Sequence, residues 1–374
     1  MSVSIDGETA TFEDAIGRAA AVLGAARAPV VAGLGTDVAG VRAALRLAER
    51  IDAAVGHRAG PAMARDLAVL TGSGLIFATP AEAGRRADMV VLLGDLSDRA
   101  DWLAAVFGRG GAARKVAALG ASPAAVAAIA GGRTAVSVAA PPAGLRDLLL
   151  ALKARVAGRP VDATRLGRTG LRDLDKLAKA LAGARYGAVV WDAAGLDGLA
   201  VDAAAGLVRD LNAATRFVAV PHPGDDNAAG AVQACAWTTG FAPPLGFRGG
   251  VARHDPWCFD VDRMVAGGEA DAALWISALA AAPPPWAAPP PTVALVAAGT
   301  RFTVPPAVTI AVRRPDRTGD AVLHDAVAGG LAAVTAPARK AAADALPTVA
   351  EVVEAILARL AGRSEPSMSG GAPC

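Results

Sequence analysis

Hydrophobic and polar positions alternate along this chain in two rhythms, short apolar runs and longer stretches with helical spacing. "TFEDAIGRAAAVLGAARAP" reads as a helix: Thr11 is placed to cap it, Asp14 follows three residues on, and the pattern stops before Pro29. "PVVAGLG" then reads as a buried strand. "DVAGVRAALRLAERIDAAV" gives a second helix with Asp37 as its cap. The rhythm repeats. "ADMVVLLGDLSD", "RKVAALGAS", "RTAVSVAAPP", "YGAVVWDAAG" and "RFVAVPHPGDDNAAG" predict strands. "LRDLLLALKARVAG", "DLDKLAKALAGA" and "DGLAVDAAAGLVRDLNAAT" predict helices. "ADAALWISALAAAPPP", "PTVALVAAG" and "AVTIAVRR" supply the last strands, and "TVAEVVEAILARLAG" the last helix. Apolar runs alternating with helices imply an α/β fold with mainly parallel sheets. Two segments read as connectors: the polar "AGRPVDATRLGRTG" at 157–170 and the proline block "AAAPPPWAAPPPT" at 280–292.

Composition narrows the class. A chain of 374 residues has room for two domains. Its hydrophobic fraction is 53% and its charged fraction only 19%, which fits a subunit with a large buried contact surface. Net charge is +2 with scattered Lys and Arg, and aromatics are 4%, so the basic, stacking face of a nucleic-acid binder is missing. Three cysteines do not make a disulfide framework. Cys374 falls in the small, polar "SMSGGAPC" end, expected to be disordered over 363–374. The N-terminal residues carry acids and lack the apolar core of a signal peptide, and no run of about 18 apolar residues occurs. A cytoplasmic location is expected.

Several residues invite a chemical reading. Gly33 and Gly35 follow a strand, but Val38 stands where a dinucleotide fingerprint needs its third glycine, so a tight turn is expected. His222, Cys235, His254 and Cys258 have the donor types of a zinc site without its paired spacing. Cys235, in "VQACAW", is expected to pack as a small hydrophobe. An iron–sulfur cluster held by this chain alone needs four thiolates, and there are three. Cys258 and His254 form a conceivable nucleophile pair, and no G-x-S-x-G elbow is present. His57 beside Arg58 is expected to be a surface histidine kept neutral by its cationic neighbour.

The most specific stretch is "GDDNAAGAVQACAWTTGF". It resembles the N-x-x-G-x-x-x-x-x-x-W-x-T-G-[FY] segment of the formylmethanofuran dehydrogenase B-subunit family, which belongs to the molybdopterin/tungstopterin oxidoreductases. Asn227, Gly230, Trp237, Thr239 and Gly240 fall on that pattern. "FRGGVARHDP", containing Arg248, is similar to the family's F-S-R-G-x-P-R-Y-N-P. "EADAALWISA" and "GDAVLHDAV" resemble two further family segments. The resemblance implies two interleaved Rossmann-like α/β domains with mainly parallel sheets, as in pterin-binding domains. It places 11–56 plus 186–362 in the first domain and 57–185 in the second.

The departures carry as much as the matches. Family members open with a domain holding a [4Fe–4S] cluster, and this chain begins at the helix after it, without those cysteines. The family's V-C-H-G-P loop, whose Cys binds tungsten or molybdenum, corresponds to "HRAGP". Gly60 and Pro61 are kept, Arg58 stands for the cysteine and Ala59 for the histidine. A guanidinium is a permanent cation and cannot ligate a metal. The pattern is therefore most similar to the family branch that serves bacterial formyltransferase/hydrolase complexes. The resemblance implies no cofactor, no metal and no catalytic residue. Arg58, Gly60, Asn227, Gly230, Trp237, Thr239, Gly240 and Arg248 become degenerate pterin-pocket positions. It implies a scaffold subunit with three partners: a zinc amidohydrolase-like A subunit, a C subunit and a formyltransferase D subunit. Together these would convert formyl-tetrahydromethanopterin, through a methanofuran-type carrier, to formate in methylotrophic one-carbon metabolism. Two alternatives are an active pterin-dependent dehydrogenase subunit and a binder of an anionic carrier through Arg58, Arg248 and Arg253.

Overall fold

The computed structural model describes residues 3–108, 114–129, 133–162, 170–335 and 346–362. The expected tail at 363–374, Cys374 included, lies outside the described residues, as does the middle of the 157–170 connector.

The chain begins with β1 (Val3–Ile5), β2 (Glu8–Thr9), α1 (Phe12–Gly24), β3 (Pro29–Gly35), α2 (Val38–Arg50) and β4 (Ala54–Val55). Next come α3 (Gly60–Gly72), α4 (Pro80–Arg86), β5 (Met89–Leu93), α5 (Ala100–Phe107), β6 (Lys115–Leu119), α6 (Pro123–Ala127) and β7 (Arg133–Val138). They lead to α7 (Pro142–Val156), α8 (Leu171–Ala182), β8 (Gly187–Trp191), α9 (Gly198–Leu211) and β9 (Phe217–Pro221). After these follow α10 (Ala228–Thr239), β10 (Leu245–Arg248), β11 (Val251–His254), α11 (Val261–Ala266), β12 (Ala272–Ser277), β13 (Thr292–Ala297) and β14 (Val308–Val312). The last elements are α12 (Pro315–Thr318), the pair β15 (Val322–Asp325) and β16 (Gly330–Ala333), and α13 (Val349–Ala361). The caps form as the sequence predicts. Thr11 accepts from the Asp14 amide and Asp37 from the Gly40 amide, while Thr348 and Glu351 make a reciprocal capping box.

Two compact units result. The first comprises Met1–Gly60, Asp225–His324 and Leu331–Cys374, and the second Pro61–Gly224 with Asp325–Gly330. The expected return to the first domain at residue 186 is corrected to 225. β8 and β9 hydrogen-bond in parallel beside β5, so residues 186–224 complete the second unit's sheet. Parallel strands read as uniform apolar runs, and nothing in "GAVVW" says which sheet it joins.

The first sheet has the order β11-β10-β4-β3-β12-β13-β14-β1-β2. Its five central strands are parallel, and an antiparallel pair flanks each side. Alternate residues feed two cores. Val31, Leu274, Ile276, Val293 and Leu295 pack with α1, α2, α10 and α13 on one face. Val30, Ala273, Trp275, Ala294 and Val296 pack with Phe259 and α11 on the other. Gly33 reflects a close approach: its φ is +82°, and a Cβ there would lie 2.4 Å from the Ile276 carbonyl oxygen. The β10–β11 hairpin, not predicted as strands, turns through Gly249 and Gly250, both at positive φ.

The second sheet, β7-β6-β5-β8-β9, is parallel throughout. Met89, Val91 and Leu93 face α7, α8 and α9, whereas Val90 and Leu92 face α4 and α5. Arg114 is 2% exposed, with no carboxylate partner among the described residues. It donates to the carbonyls of Gly84, Ala87 and Phe107, where α4 and α5 end. A cation at two helix C-termini satisfies carbonyls that lack intrahelical partners. Arg114→Leu leaves these acceptors buried and unmade, so denaturant unfolding should show a loss of about 3 kcal/mol or more; an unchanged midpoint would contradict the assignment.

Candidate functional site

In the first unit, the loop that follows β4 meets the residues that precede α10. His57 is 6% exposed and uses both ring nitrogens. Its Nδ1 accepts from the Ala59 amide at 2.9 Å, so the proton sits on Nε2, which donates to the Asp226 carbonyl at 3.1 Å. The expectation of a surface histidine is therefore corrected. The ring is an interior staple, and burial lowers its pKa to about 4, with Arg58 adding to the fall and Asp226 opposing it. Arg58 donates its own amide to the Gly33 carbonyl at 3.1 Å. Its Nε donates to Asp226 Oδ2 at 2.6 Å, and Nη2 reaches the same oxygen. The Asp226 side chain is only 9% exposed.

Asp226 and Asn227 both adopt left-handed backbone conformations, φ 55° and 61°. Asn227 tolerates this better than most residues. Its Nδ2 donates to the Thr36 carbonyl at 2.8 Å, and its Oδ1 accepts from the His324 amide at 2.8 Å. It therefore ties the β3–α2 turn to β15. Gly230 makes room for this: a Cβ there would lie 2.2 Å from Asn227 Oδ1. The N-x-x-G spacing is thus a packing relation, one turn apart on α10.

The remaining motif positions lie elsewhere in the unit. α10 has 12 residues and spans about 18 Å, so Trp237, Thr239 and Gly240 sit at its far end. Thr239 donates to the Cys235 carbonyl and accepts from the Phe241 amide, and Gly240 ends the helix at φ 83°. Trp237 is exposed. Gly60 donates its amide to the His57 carbonyl and has open space beside it. Arg248 is directed to the carbonyls of Asp52 and Phe247, before β4, whereas Arg58 lies after it.

The loop does not fit a pterin-bound metal. Arg58, at the position the resemblance assigns to the metal ligand, is a guanidinium paired with the Asp226 carboxylate, with no lone pair to offer. Cys235 is buried, and burial pushes its thiol up to about 12. Cys258 is exposed, and its hydrogen bond to Asp255 raises its pKa. His222 belongs to the second unit. Among the described residues, no group of three or more His, Cys, Asp or Glu could hold a metal ion.

A second polar cluster, which the sequence did not reveal, sits at the carboxyl end of β8, beside the point where the strand order reverses. Arg99 Nε donates to Asp192 Oδ2 at 2.6 Å, and His222 Nδ1 lies 4.0 Å from the same oxygen. Trp102 meets the His222 ring edge-on at 4.9 Å. The Trp191 indole donates to Asp66 Oδ1 at 2.9 Å, and burial raises the Asp66 pKa to about 6. Asp66 and Asp192 lie far apart along the chain with no motif linking them, and only the fold unites them.

Two α/β units with mainly parallel sheets, the second inserted in the sequence of the first, define a mixed α/β chain. No family model matches the chain. It is 38% identical over 308 residues to the B subunit of the formyltransferase/hydrolase complex (Fhc) of Methylorubrum extorquens, covering 80% of this chain and 81% of that protein. It also superimposes, with a TM-score of 0.83 and 33% identity, on a chain of the crystal structure of the formyltransferase/hydrolase complex FhcABCD from Methylorubrum extorquens in complex with methylofuran. That match covers 96% of this chain and 99% of the other. The chain belongs to the family of B subunits of formyltransferase/hydrolase complexes.

Two outcomes follow from the geometry. Because the folded pKa of His57 lies below its unfolded value of 6.5, its stabilising burial is complete above pH 6.5 and is lost as pH falls toward 4. The loss should reach roughly 3 kcal/mol, and His57→Gln should lack it; His57 titrating near 6.5 by NMR would contradict the staple. Gly230→Ala should destabilise by about 2 kcal/mol by displacing the Asn227 side chain. In an Asn227→Ala background the same change should become neutral or stabilising by up to about 1 kcal/mol, since alanine favours helix.

Proposed function

We propose that this chain is a non-catalytic scaffold subunit of a formyltransferase/hydrolase complex, assembled with the A, C and D subunits in the cytoplasm. The complex acts on a formyl group carried by a methanofuran-type cofactor. The observation that carries the reading is the Arg58–Asp226 ion pair, at the position that the sequence resemblance assigns to a metal ligand in redox members of the family. A cation fixed there supplies neither a metal ligand nor a nucleophile. The eight motif positions support the same reading. Asn227 and Gly230 hold loops together, Thr239 and Gly240 end a helix, Gly60 donates an amide within the 57–60 turn, and Arg248 binds backbone carbonyls. Trp237 is an exposed side chain on α10. Most of these positions therefore serve local packing, turns and helix ends. No described helix is long and apolar enough to cross a membrane.

An anionic-carrier site is less well supported. Arg58 is neutralised by Asp226, and Arg248 is turned to carbonyls on the other side of β4. The dehydrogenase reading lacks a ligand for its metal.

The test is Arg58→Ala within the assembled complex. Formyl transfer and hydrolysis should stay within about two-fold of wild type, because removing a group that acts in the chemistry typically costs 10²-fold or more. A loss of that size in an intact complex would overturn the scaffold reading.

A further inference from the structure

The first unit's sheet ends in two unlike edges. At one end β2 has two residues, Glu8 and Thr9, short and charged, as protected edges are. At the other end β11, Val251–His254, pairs among the described residues only with β10. It carries no proline or lysine, and no bulge interrupts its register with β10. Its outer row of backbone amides and carbonyls is available to a further strand.

The side chains around this edge have the makeup of a contact surface. Val251 is 57% exposed and Trp257 71%. Trp257 is not loose: Arg263 lies 5.1 Å over its ring and donates to its carbonyl at 2.9 Å. Phe241 is exposed and stacks on His254, with 6.2 Å between centroids and 14° between planes. His254 Nδ1 is itself fixed against the Pro244 carbonyl at 2.8 Å. Aromatic residues and arginine are the types enriched at protein interfaces, and pre-ordered aromatics lose little freedom on docking. Aromatics are 4% of the chain, and five of them fall within 237–259.

Charge selects the occupant. Arg253 is exposed in the middle of β11. It forms no ion pair among the described residues, whereas Arg248, opposite Val251, is already engaged by the Asp52 and Phe247 carbonyls and the Phe259 ring. Two copies of β11 laid antiparallel edge to edge would set their two Arg253 guanidinium groups on one face of the joint ladder, and like charges across strands repel. A segment with a carboxylate facing Arg253 has no such penalty.

Building on the scaffold reading above, we propose that β11 is a docking edge. It takes an extended, carboxylate-bearing segment of another subunit of the complex as an additional strand of the first unit's sheet, with Trp257 and Val251 as its apolar anchors. Backbone pairing gives the register, and Arg253 gives the sign of the partner.

Amide hydrogen exchange, read by mass spectrometry on the native complex and on the chain alone, tests this. The peptide covering 251–254 should exchange about tenfold or more slowly in the complex. Arg253→Glu should melt as wild type does, since that side chain is exposed and unpaired, yet should release partner subunits at lower salt. Exchange at 251–254 as fast in the complex as in the chain alone would overturn the docking edge while leaving the scaffold reading intact. So would an Arg253→Glu complex that survives the same salt as wild type. A chain that purifies with no partner subunit would remove the scaffold reading itself, a different failure.

Discussion

The carboxylate of Asp226 is the point on which the candidate site depends. It sits almost fully buried in a left-handed backbone conformation and accepts a hydrogen bond from Arg58 Nε, with Nη2 paired against the same oxygen. Its carbonyl receives the proton of a buried, neutral His57. A buried carboxylate without a cation is expensive, and so is a buried imidazole without partners. Each group satisfies the other, so the loop after β4 and the start of α10 form one unit of structure. The next residue, Asn227, extends the same tie to the β3–α2 turn and the chain near His324.

This gives the motif residues a plain physical meaning. Gly230 is small because the Asn227 amide needs the space one turn away. Thr239 and Gly240 stop α10. The frame holds loops together around the protein's own side chains, with Arg58 and Asp226 paired at its centre. Left-handed residues gather at Leu34, Asp226, Asn227 and Asp320, all in loops or strand ends of the first unit. Strain of this kind persists where surrounding contacts over-determine it, and the Asn227 and Asp226 contacts do so.

Much of the fold was legible in the sequence. The alternation of apolar runs and helical stretches located the parallel strands of both sheets except β4, whose Ala54–Val55 had read as the end of the second helix, and Thr11, Asp37 and the Thr348 region marked helix starts that the structure keeps. What was not legible is long-range. β8 and β9 carry no residue that says which sheet they join, so a boundary expected at 186 falls at 225. The β10–β11 hairpin was hidden because only Phe247 and Leu245 are strongly apolar on its inner face, and its Gly249–Gly250 turn was the one available signal. His57 looked like a surface residue because its burial comes from Asp226, 169 positions away. The Asp66–Trp191 and Arg99–Asp192 contacts are likewise products of topology.

The central claim is that the protein's own ion pair closes the position where redox relatives bind metal. Elemental analysis of the natively purified complex for tungsten and molybdenum, normalised to this chain, addresses it most directly. Only traces are expected, unaffected by supplying either metal during growth. One atom of tungsten or molybdenum per chain, lost on replacing Arg58 or Asp226, would contradict it.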